Sequence, residues 1–516
     1  MSIKTPPAES AEELTTLRSN AIGLPGVLFQ SVTTMAPAGA VAFSLGAAIP
    51  FTGGALPLAV VFALIVCVLV ALNIGSMARK LPSAGGYFTY VNHGLGPQMG
   101  WLTGWLFTFT YVLFVPLTLL VLGAVTDSFL SSTFHLSLGS NGWILYALIF
   151  AAITFGLTFF GIKISADVGV ALGIIEISVF ALLALFLIVS AGSGNTFATF
   201  NPASSLQGGL GGWQGVLFGV LFAFLAFSGF ESSATLGEES HNPRRIVPLA
   251  ILLATVIIGV FYVFCAYAGV VGWGFAKITT YPSDPNPWGT MAARVWGPFA
   301  FIAILVILNS ALGNANAAVN AGSRMIFSMG RIKTFPAVLG QTNRYRVPGP
   351  AIILALVLGI IIMLWTGLVY GPTLAFAFVG ATLTVPIILV YMATCLAVPF
   401  FYWREHRAEF NVWQHVVLPA IPFILLGVVI YFQFVPLPPA PFNMVGIIDG
   451  VWLVLGIIVV VFLSVRAPHA LHEGTRLFAE EPEVAVATAS VATAPKVEDA
   501  PGSDTIKPED APGSDA

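Results

Sequence analysis

Runs of about 20 apolar residues, each closed by a polar turn, recur twelve times along this chain of 516 residues. They fall near 24–50, 55–78, 101–126, 142–160, 167–190, 213–236, 247–274, 298–323, 350–369, 373–400, 416–434 and 445–465. Apolar residues make up 57% of the sequence and charged ones only 8%, where a soluble domain carries roughly a quarter. No ordinary water-surrounded core absorbs that composition, so the chain reads as an all-α polytopic membrane protein embedded in a lipid bilayer. Residues 1–20 are polar, and no cleavage-like site with a soluble domain follows the first apolar run, so no removable signal peptide is expected.

The basic residues give the orientation. Eighteen of the twenty lie before the first window or after the second, fourth, sixth, eighth, tenth and twelfth, among them Lys163, Arg244, Arg245, Arg324 and Arg331. Only Lys277 and Arg294 fall on the opposite side. By the positive-inside rule this predicts twelve spans in a cell membrane with both termini cytoplasmic. Cys67, Cys265 and Cys395 all sit in apolar runs and imply neither a disulfide nor a metal framework. After Arg466 the composition turns rich in Ala, Pro, Glu and Asp, with Glu-Asp-Ala-Pro-Gly-Ser-Asp at 498–504 and again at 509–515. Such a segment buries too little apolar surface to order itself, so 467–516 is expected to be a disordered acidic cytoplasmic tail.

Two windows are interrupted. The first carries Pro37, Ala38 and Gly39 at its centre, and the sixth carries Ser228 and Gly229 followed by Glu231, Ser232 and Ser233. In hydrocarbon, a freed backbone group or an ionisable side chain is costly unless something satisfies it. Pro and Gly also serve simply to kink membrane helices. Two interruptions five spans apart, in helices that therefore run in opposite directions, point to a midplane binding site in an inverted repeat.

Three motifs carry a family resemblance. Pro82-Ser83-Ala84-Gly85-Gly86-Tyr87-Phe88-Thr89-Tyr90 follows the second window. Phe227-Ser228-Gly229-Phe230-Glu231 is followed by Glu238-Glu239 and by Asn242-Pro243-Arg244-Arg245-Ile246-Val247-Pro248. Asn320-Ala321-Gly322-Ser323-Arg324 runs on to Gly330-Arg331. In this order the chain resembles the amino acid–polyamine–organocation permeases over about 20–470. The resemblance implies twelve transmembrane helices with a LeuT-type 5+5 inverted repeat and broken helices 1 and 6. Its parts would be a cytoplasmic segment 1–20, a first repeat 21–190, a second repeat 213–400, and two further spans in 401–466. The function implied is secondary active transport of amino acids by alternating access. Proton coupling is preferred to sodium, and a polyamine or cationic amino-acid carrier or exchanger is the alternative.

The same fold implies the site. Backbone N–H groups at the half-helix around Pro37, Ala38 and Gly39 would meet a substrate carboxylate, with the helix dipole in support. Carbonyls freed around Ala226, Phe227, Ser228 and Gly229 would meet its ammonium group, and Phe227 would cover it. The family's usual Gly-Ser-Gly is Pro37-Ala38-Gly39 here. Phe222, Phe224 and Phe230 read as packing.

Glu176 and Glu231 are the deepest acids, with no Lys or Arg mid-span beside them. Glu176 falls where several members of the resembled family place a Lys that substitutes for sodium. It reads equally as a proton or cation site, or as a carboxyl hydrogen-bonded to a neighbouring helix. Glu231 reads as a gating or coupling group, or as a brace for its own broken helix. Asn309, Gly313, Asn316, Asn320 and Ser323 form a polar stripe at helical period, from which Asn316 is the candidate site residue. The expected partners are a small-molecule amino acid or amine, protons and lipid, with no cofactor, metal or nucleic acid. His93, His135, His241, His406 and His415 lie in loops or at span ends without metal-type spacing. No repeated filter loop is present, so an enzyme or a channel is the weaker reading.

Overall fold

The computed structural model of the chain describes residues 17, 19–160, 162–205, 212–284, 286–435, 440–469 and 471. It divides into Met1–Phe478 and Ala479–Ala516, the second wholly outside the described residues. The expected acidic tail lies outside them except for Ala467, Pro468, His469 and Leu471. Of the N-terminal segment only Leu17, Ser19 and Asn20 are described. The side chain of Lys163 is outside them as well.

The described residues are helical, with one isolated parallel bridge between Ile22 and Ser240. In order the elements are α1 (Leu24–Thr34), α2 (Pro37–Gly39), α3 (Gly46–Thr52), α4 (Leu56–Lys80), α5 (Tyr87–Leu95) and α6 (Pro97–Phe134). Next come α7 (Gly142–Phe159), α8 (Ile162–Ala191), α9 (Trp213–Phe227), α10 (Pro243–Trp273), α11 (Pro287–Trp296) and α12 (Phe301–Arg331). The last are α13 (Gly349–Tyr370), α14 (Pro372–Glu405), α15 (Leu418–Phe434) and α16 (Val445–Arg466). A π-helical turn, Ala40–Leu45, links α2 to α3. Proline marks many of the starts: Pro25, Pro57, Pro97, Pro243 and Pro372 sit in first turns, where the missing N–H is no loss and φ is already helical. Gly371, at φ 76°, ends α13 and opens α14 in a conformation a side chain resists.

Eleven stretches among the described residues are long and apolar enough to cross a membrane. The twelve sequence windows become eleven because the first two run together as Leu24–Lys80, 57 residues. The 3₁₀ turn Gly53–Ala55 joins α3 directly to α4, with no non-helical residue between them. The outer faces explain the composition. Ile174, Ile175, Leu182, Leu185 and Phe186 of α8 are exposed, as are Val357, Ile361 and Trp365 of α13 and Ile447, Val451 and Ile458 of α16. Apolar faces this extensive are stable against hydrocarbon rather than water. Inside, α1 packs on α8, α10 and α12, while α6 packs on α12, α13 and α14. The interrupted elements therefore lie at the centre.

Arg324 departs from its expected place. The sequence window ending at 323 puts it in a loop, but α12 continues to Arg331 and buries it completely. Its guanidinium pairs with the equally buried Glu239, and its Nη1 donates to the Asn320 carbonyl at 2.7 Å. A buried cation requires such a partner. Around this pair, Arg331 bonds Glu238 at 3.1 Å, and Glu238 accepts the Ala84 N–H at 2.9 Å. The N–H groups of Ala21 and Ile22 donate to the Glu239 carbonyl. Three of the resemblance motifs thus meet at one junction with the residues that lead into α1.

Candidate substrate site between two interrupted helices

The first interruption lies just before the residues expected to form it. Pro37, Ala38 and Gly39 are already helical, and the break is at Met35 and Ala36. A residue preceding proline is pushed out of the right-handed helical region, while proline suits a helix start. Ala36 accordingly adopts φ 48°, ψ 65°, a left-handed conformation that costs a non-glycine residue about 1–3 kcal/mol. The second interruption is where it was expected. α9 ends at Phe227, Ser228 is extended, Gly229 has φ 110°, and a 3₁₀ turn, Ser232–Leu236, follows.

Small polar side chains join the two breaks. Ser31 and Ser233 hydroxyls meet at 2.5 Å, and Thr34 and Ser232 at 2.9 Å. The Ser233 hydroxyl also reaches the Val27 carbonyl. Gly229 packs so tightly on Thr34 that a Cβ there would lie 2.4 Å from Thr34 Cγ2. Glycine at 229 therefore answers both a positive φ and a close approach.

The backbone groups at the first break are not bare, contrary to the expectation for Pro37, Ala38 and Gly39. The Ala38 N–H donates to Glu176 Oε1 at 2.6 Å, and the Gly39 N–H to Ser310 Oγ at 2.9 Å. Ser310 in turn donates to the same Glu176 oxygen at 2.5 Å. Ala40 N–H returns to the Ala36 carbonyl, and Pro37 has no N–H to offer. Glu176 of α8 thus caps the restarted helix, a placement its dipole favours. The carbonyl ends are also held. Tyr262 of α10 shares its hydroxyl proton between Met35 O at 2.7 Å and Ala226 O at 2.9 Å. Asn314 Nδ2 donates to Thr34 O at 2.8 Å, and Phe227 O accepts from Phe230 N–H at 3.2 Å. The physical reason is general: buried main-chain groups without water find partners within the protein.

A narrow cavity of about 40 Å³ opens beside the first break. Its walls come from Thr34 to Ala36, Gly39, Ala40, Phe43 and Ser44, from α6 through Phe114, Leu117, Thr118 and Val121, from Leu225 and Ser228, and from Ala311, Asn314 and Phe376. Of the expected site residues, Gly39 and Ser228 line it. Pro37, Ala38, Ala226, Phe227, Gly229 and Asn316 do not. Phe227, expected to cover a substrate, is fully buried and packs edge-on against Tyr262 with centroids 5.2 Å apart. The aromatic rings that line the cavity are Phe43, Phe114 and Phe376, the first and last with centroids 5.5 Å apart. Asn316 is buried near Asn320, whose Nδ2 lies 3.5 Å from its Oδ1. Asn314, two positions earlier and so on the opposite side of α12, takes its place on the cavity. The signal for Asn314 was a second polar stripe, Ser310 and Asn314 at i, i+4.

Glu231 is a brace. Its Oε1 accepts from Tyr111 of α6 at 2.7 Å, and its Oε2 from Tyr391 of α14 at 2.6 Å and from the Gly229 N–H at 3.1 Å. One carboxyl group thereby ties the break after α9 to two neighbouring helices.

Lipid-facing helices packed around a central cavity, with two of them interrupted beside it, are the architecture of a membrane solute carrier. The chain belongs to the amino acid permease family, whose model matches residues 26–472. It is 27% identical over 397 residues to a probable GABA permease of Pseudomonas aeruginosa, covering 74% of this chain and 80% of the relative. It is 24% identical to the low-affinity putrescine importer PlaP of Escherichia coli, covering 64% and 73%. It is 23% identical to the branched-chain amino acid permease BcaP of Lactococcus lactis, covering 79% and 86%. These proteins are transporters, not enzymes.

Proposed function

We propose that the chain is a twelve-span secondary active transporter that moves an amino acid or amine across the cell membrane by alternating access. The named relatives handle GABA, putrescine and branched-chain amino acids, which supports that range of solutes. Leu24–Lys80 is taken as two crossings that meet at Gly53–Ala55. At about 1.5 Å per residue its 57 residues are far longer than a hydrocarbon core of about 30 Å. Residues 21–190 and 213–400 are taken as two inverted repeats of five spans, followed by two spans in 401–466, with lipid around them and both termini cytoplasmic. The observation that carries the reading is the cavity between the two breaks, whose polar links Ser31–Ser233 and Thr34–Ser232 let the interrupted helices move as a pair.

Protons are the coupling ion in this reading, and Glu176 is their carrier. It is a buried carboxyl that touches the Ala38 N–H and Ser310. Glu231, the other deep acid, has both oxygens committed and serves as a gate brace. In proteoliposomes, an imposed inward proton gradient is expected to drive accumulation of a labelled solute. Glu176→Gln is expected to abolish the pH dependence of that uptake. PH-dependent uptake persisting in the variant removes Glu176 from coupling, and uptake that needs internal solute instead of a gradient makes the protein an exchanger.

A further inference from the structure

Lys277 and Arg294, the two basic residues set apart from the other eighteen, both reach the last turn of α10. Arg294, near the end of α11, turns its guanidinium onto the Gly272 carbonyl. Lys277 lies in the 3₁₀ turn Phe275–Ser283 that follows, its carbonyl accepting from Trp273 Nε1 at 3.2 Å. Both residues are exposed, and no carboxylate pairs with either among the described residues. Asp284, the acid that reaches α11, accepts from the Asn286 N–H at 2.7 Å and the Thr290 hydroxyl at 2.9 Å. Beside these cations lies a groove of about 430 Å³, lined by Val179 and Leu182 of α8 and by Val295, Trp296, Phe299 and Ile302. Leu182 and Phe299 are exposed, so the groove opens on the lipid-facing surface. α8 joins it to the cations. One turn past Leu182, Phe186 packs edge-on against Trp296 with centroids 6.4 Å apart. Leu187 packs so closely on Gly272, the residue Arg294 holds, that a Cβ there would lie 3.0 Å from Leu187 Cβ.

From this placement we infer that the groove binds an anionic phospholipid, with one acyl chain along Val179, Leu182 and Ile302 and the phosphate at Arg294 and Lys277. The inference goes beyond the transporter reading and takes from it only that these residues face the outer leaflet. The lining offers no polar group except the Trp296 N–H, which suits hydrocarbon and no water-soluble solute. Apolar walls that end at an aromatic ring and two cations match a lipid lengthwise, chain to wall and headgroup to charge. A zwitterionic lipid fills the apolar part equally well, but its own ammonium group offsets the attraction to Arg294 and Lys277. A headgroup with net negative charge has no such offset. Arg294 adds geometry, because a guanidinium meets two phosphate oxygens at once. The plainer role for Arg294 is to close the end of α10, where the last carbonyls favour a cation. That role gives no reason for a lipid-facing groove beside it or for Lys277 to matter.

The test is native mass spectrometry of the purified full chain, offered equimolar phosphatidylglycerol and phosphatidylcholine in detergent micelles, with the retained lipids counted. The wild type is expected to keep phosphatidylglycerol in preference. Glycerol phosphate in large excess should not displace it, because a free headgroup has no chain to lay in the groove. Arg294→Ala and Lys277→Ala are each expected to cut the preference by about fivefold. Leu182→Trp, which fills the groove and leaves both cations, is expected to lower retention of both lipids. A wild type without preference, or a preference that both alanine variants keep, overturns the inference and leaves Arg294 as the cap of α10 alone. Displacement by glycerol phosphate overturns it too, and makes the cations a site for free phosphate. The leaflet is read separately, in a chain whose Cys67, Cys265 and Cys395 are replaced by Ala. There Lys277→Cys is expected to react with a membrane-impermeant maleimide in intact cells. Reaction only after permeabilisation overturns the orientation taken from the transporter reading, and the outer-leaflet assignment with it, while lipid retention still decides the groove. The wild-type comparison decides even where a variant fails to insert.

Discussion

Arg324→Ala is expected to destabilise the protein by about 3–5 kcal/mol, because it leaves the Glu239 carboxylate buried without its counter-charge. The loss exceeds that of an exposed ion pair, typically about 0–1 kcal/mol, because neither partner touches solvent. It also removes the Nη1 bond to the Asn320 carbonyl and loosens the junction where Glu239 receives the N–H groups of Ala21 and Ile22. Denaturant or thermal unfolding in detergent measures the effect. The double replacement Arg324→Met with Glu239→Leu is expected to recover most of it, since two apolar side chains leave no stranded charge. A single variant as stable as the wild type would show that the pair contributes nothing.

Glu231→Ala is expected to be nearly as severe, and to act on transport as well as folding. It removes the common acceptor of Tyr111, Tyr391 and the Gly229 N–H, three donors inside a fully buried site. Each donor left unpaired costs about 1–3 kcal/mol. The break after α9 loses its ties to α6 and α14 together, so solute uptake is expected to fall below detection in protein that still inserts. Tyr111→Phe and Tyr391→Phe each remove one donor and leave the carboxyl with its other partners, so each is expected to lose less than Glu231→Ala. Uptake assays and unfolding on the four proteins give the order. Either Phe variant proving worse than the Ala variant would contradict the assignment of Glu231 as the shared acceptor.

The sequence carries the breaks more clearly than it carries their chemistry. Apolar run length gives the helices, and Pro37, Ser228 and Gly229 mark the two interruptions, because backbone preferences are local. Even there the first break is displaced: proline shapes the residue before it, so Ala36 rather than Ala38 leaves the helix. What occupies the break depends on residues brought from far along the chain. Glu176 was legible as a deep acid, but its contact with the Ala38 N–H, 138 positions away, was not. Tyr262 and Ser310 gave no sequence signal that distinguishes a hydroxyl holding a break from one lost in a helix. Asn314 and Asn316 lie on opposite sides of α12, and the helical period alone does not say that Asn314 is the one that lines the cavity. Phe227 was expected from the family resemblance, whereas Phe43, Phe114 and Phe376 converge only in three dimensions.

The most direct test of the site places a single reporter in its wall. Ala311 lines the cavity from α12, and Ala311→Cys can be made in a chain whose buried Cys67, Cys265 and Cys395 are replaced by Ala. The rate at which a small amine-bearing methanethiosulfonate modifies that cysteine is then measured with and without a solute the protein transports. A solute seated between the two helix breaks should slow the reaction, and restore the free rate on washing out. An unchanged rate, in protein that still transports the solute, would place the pathway elsewhere.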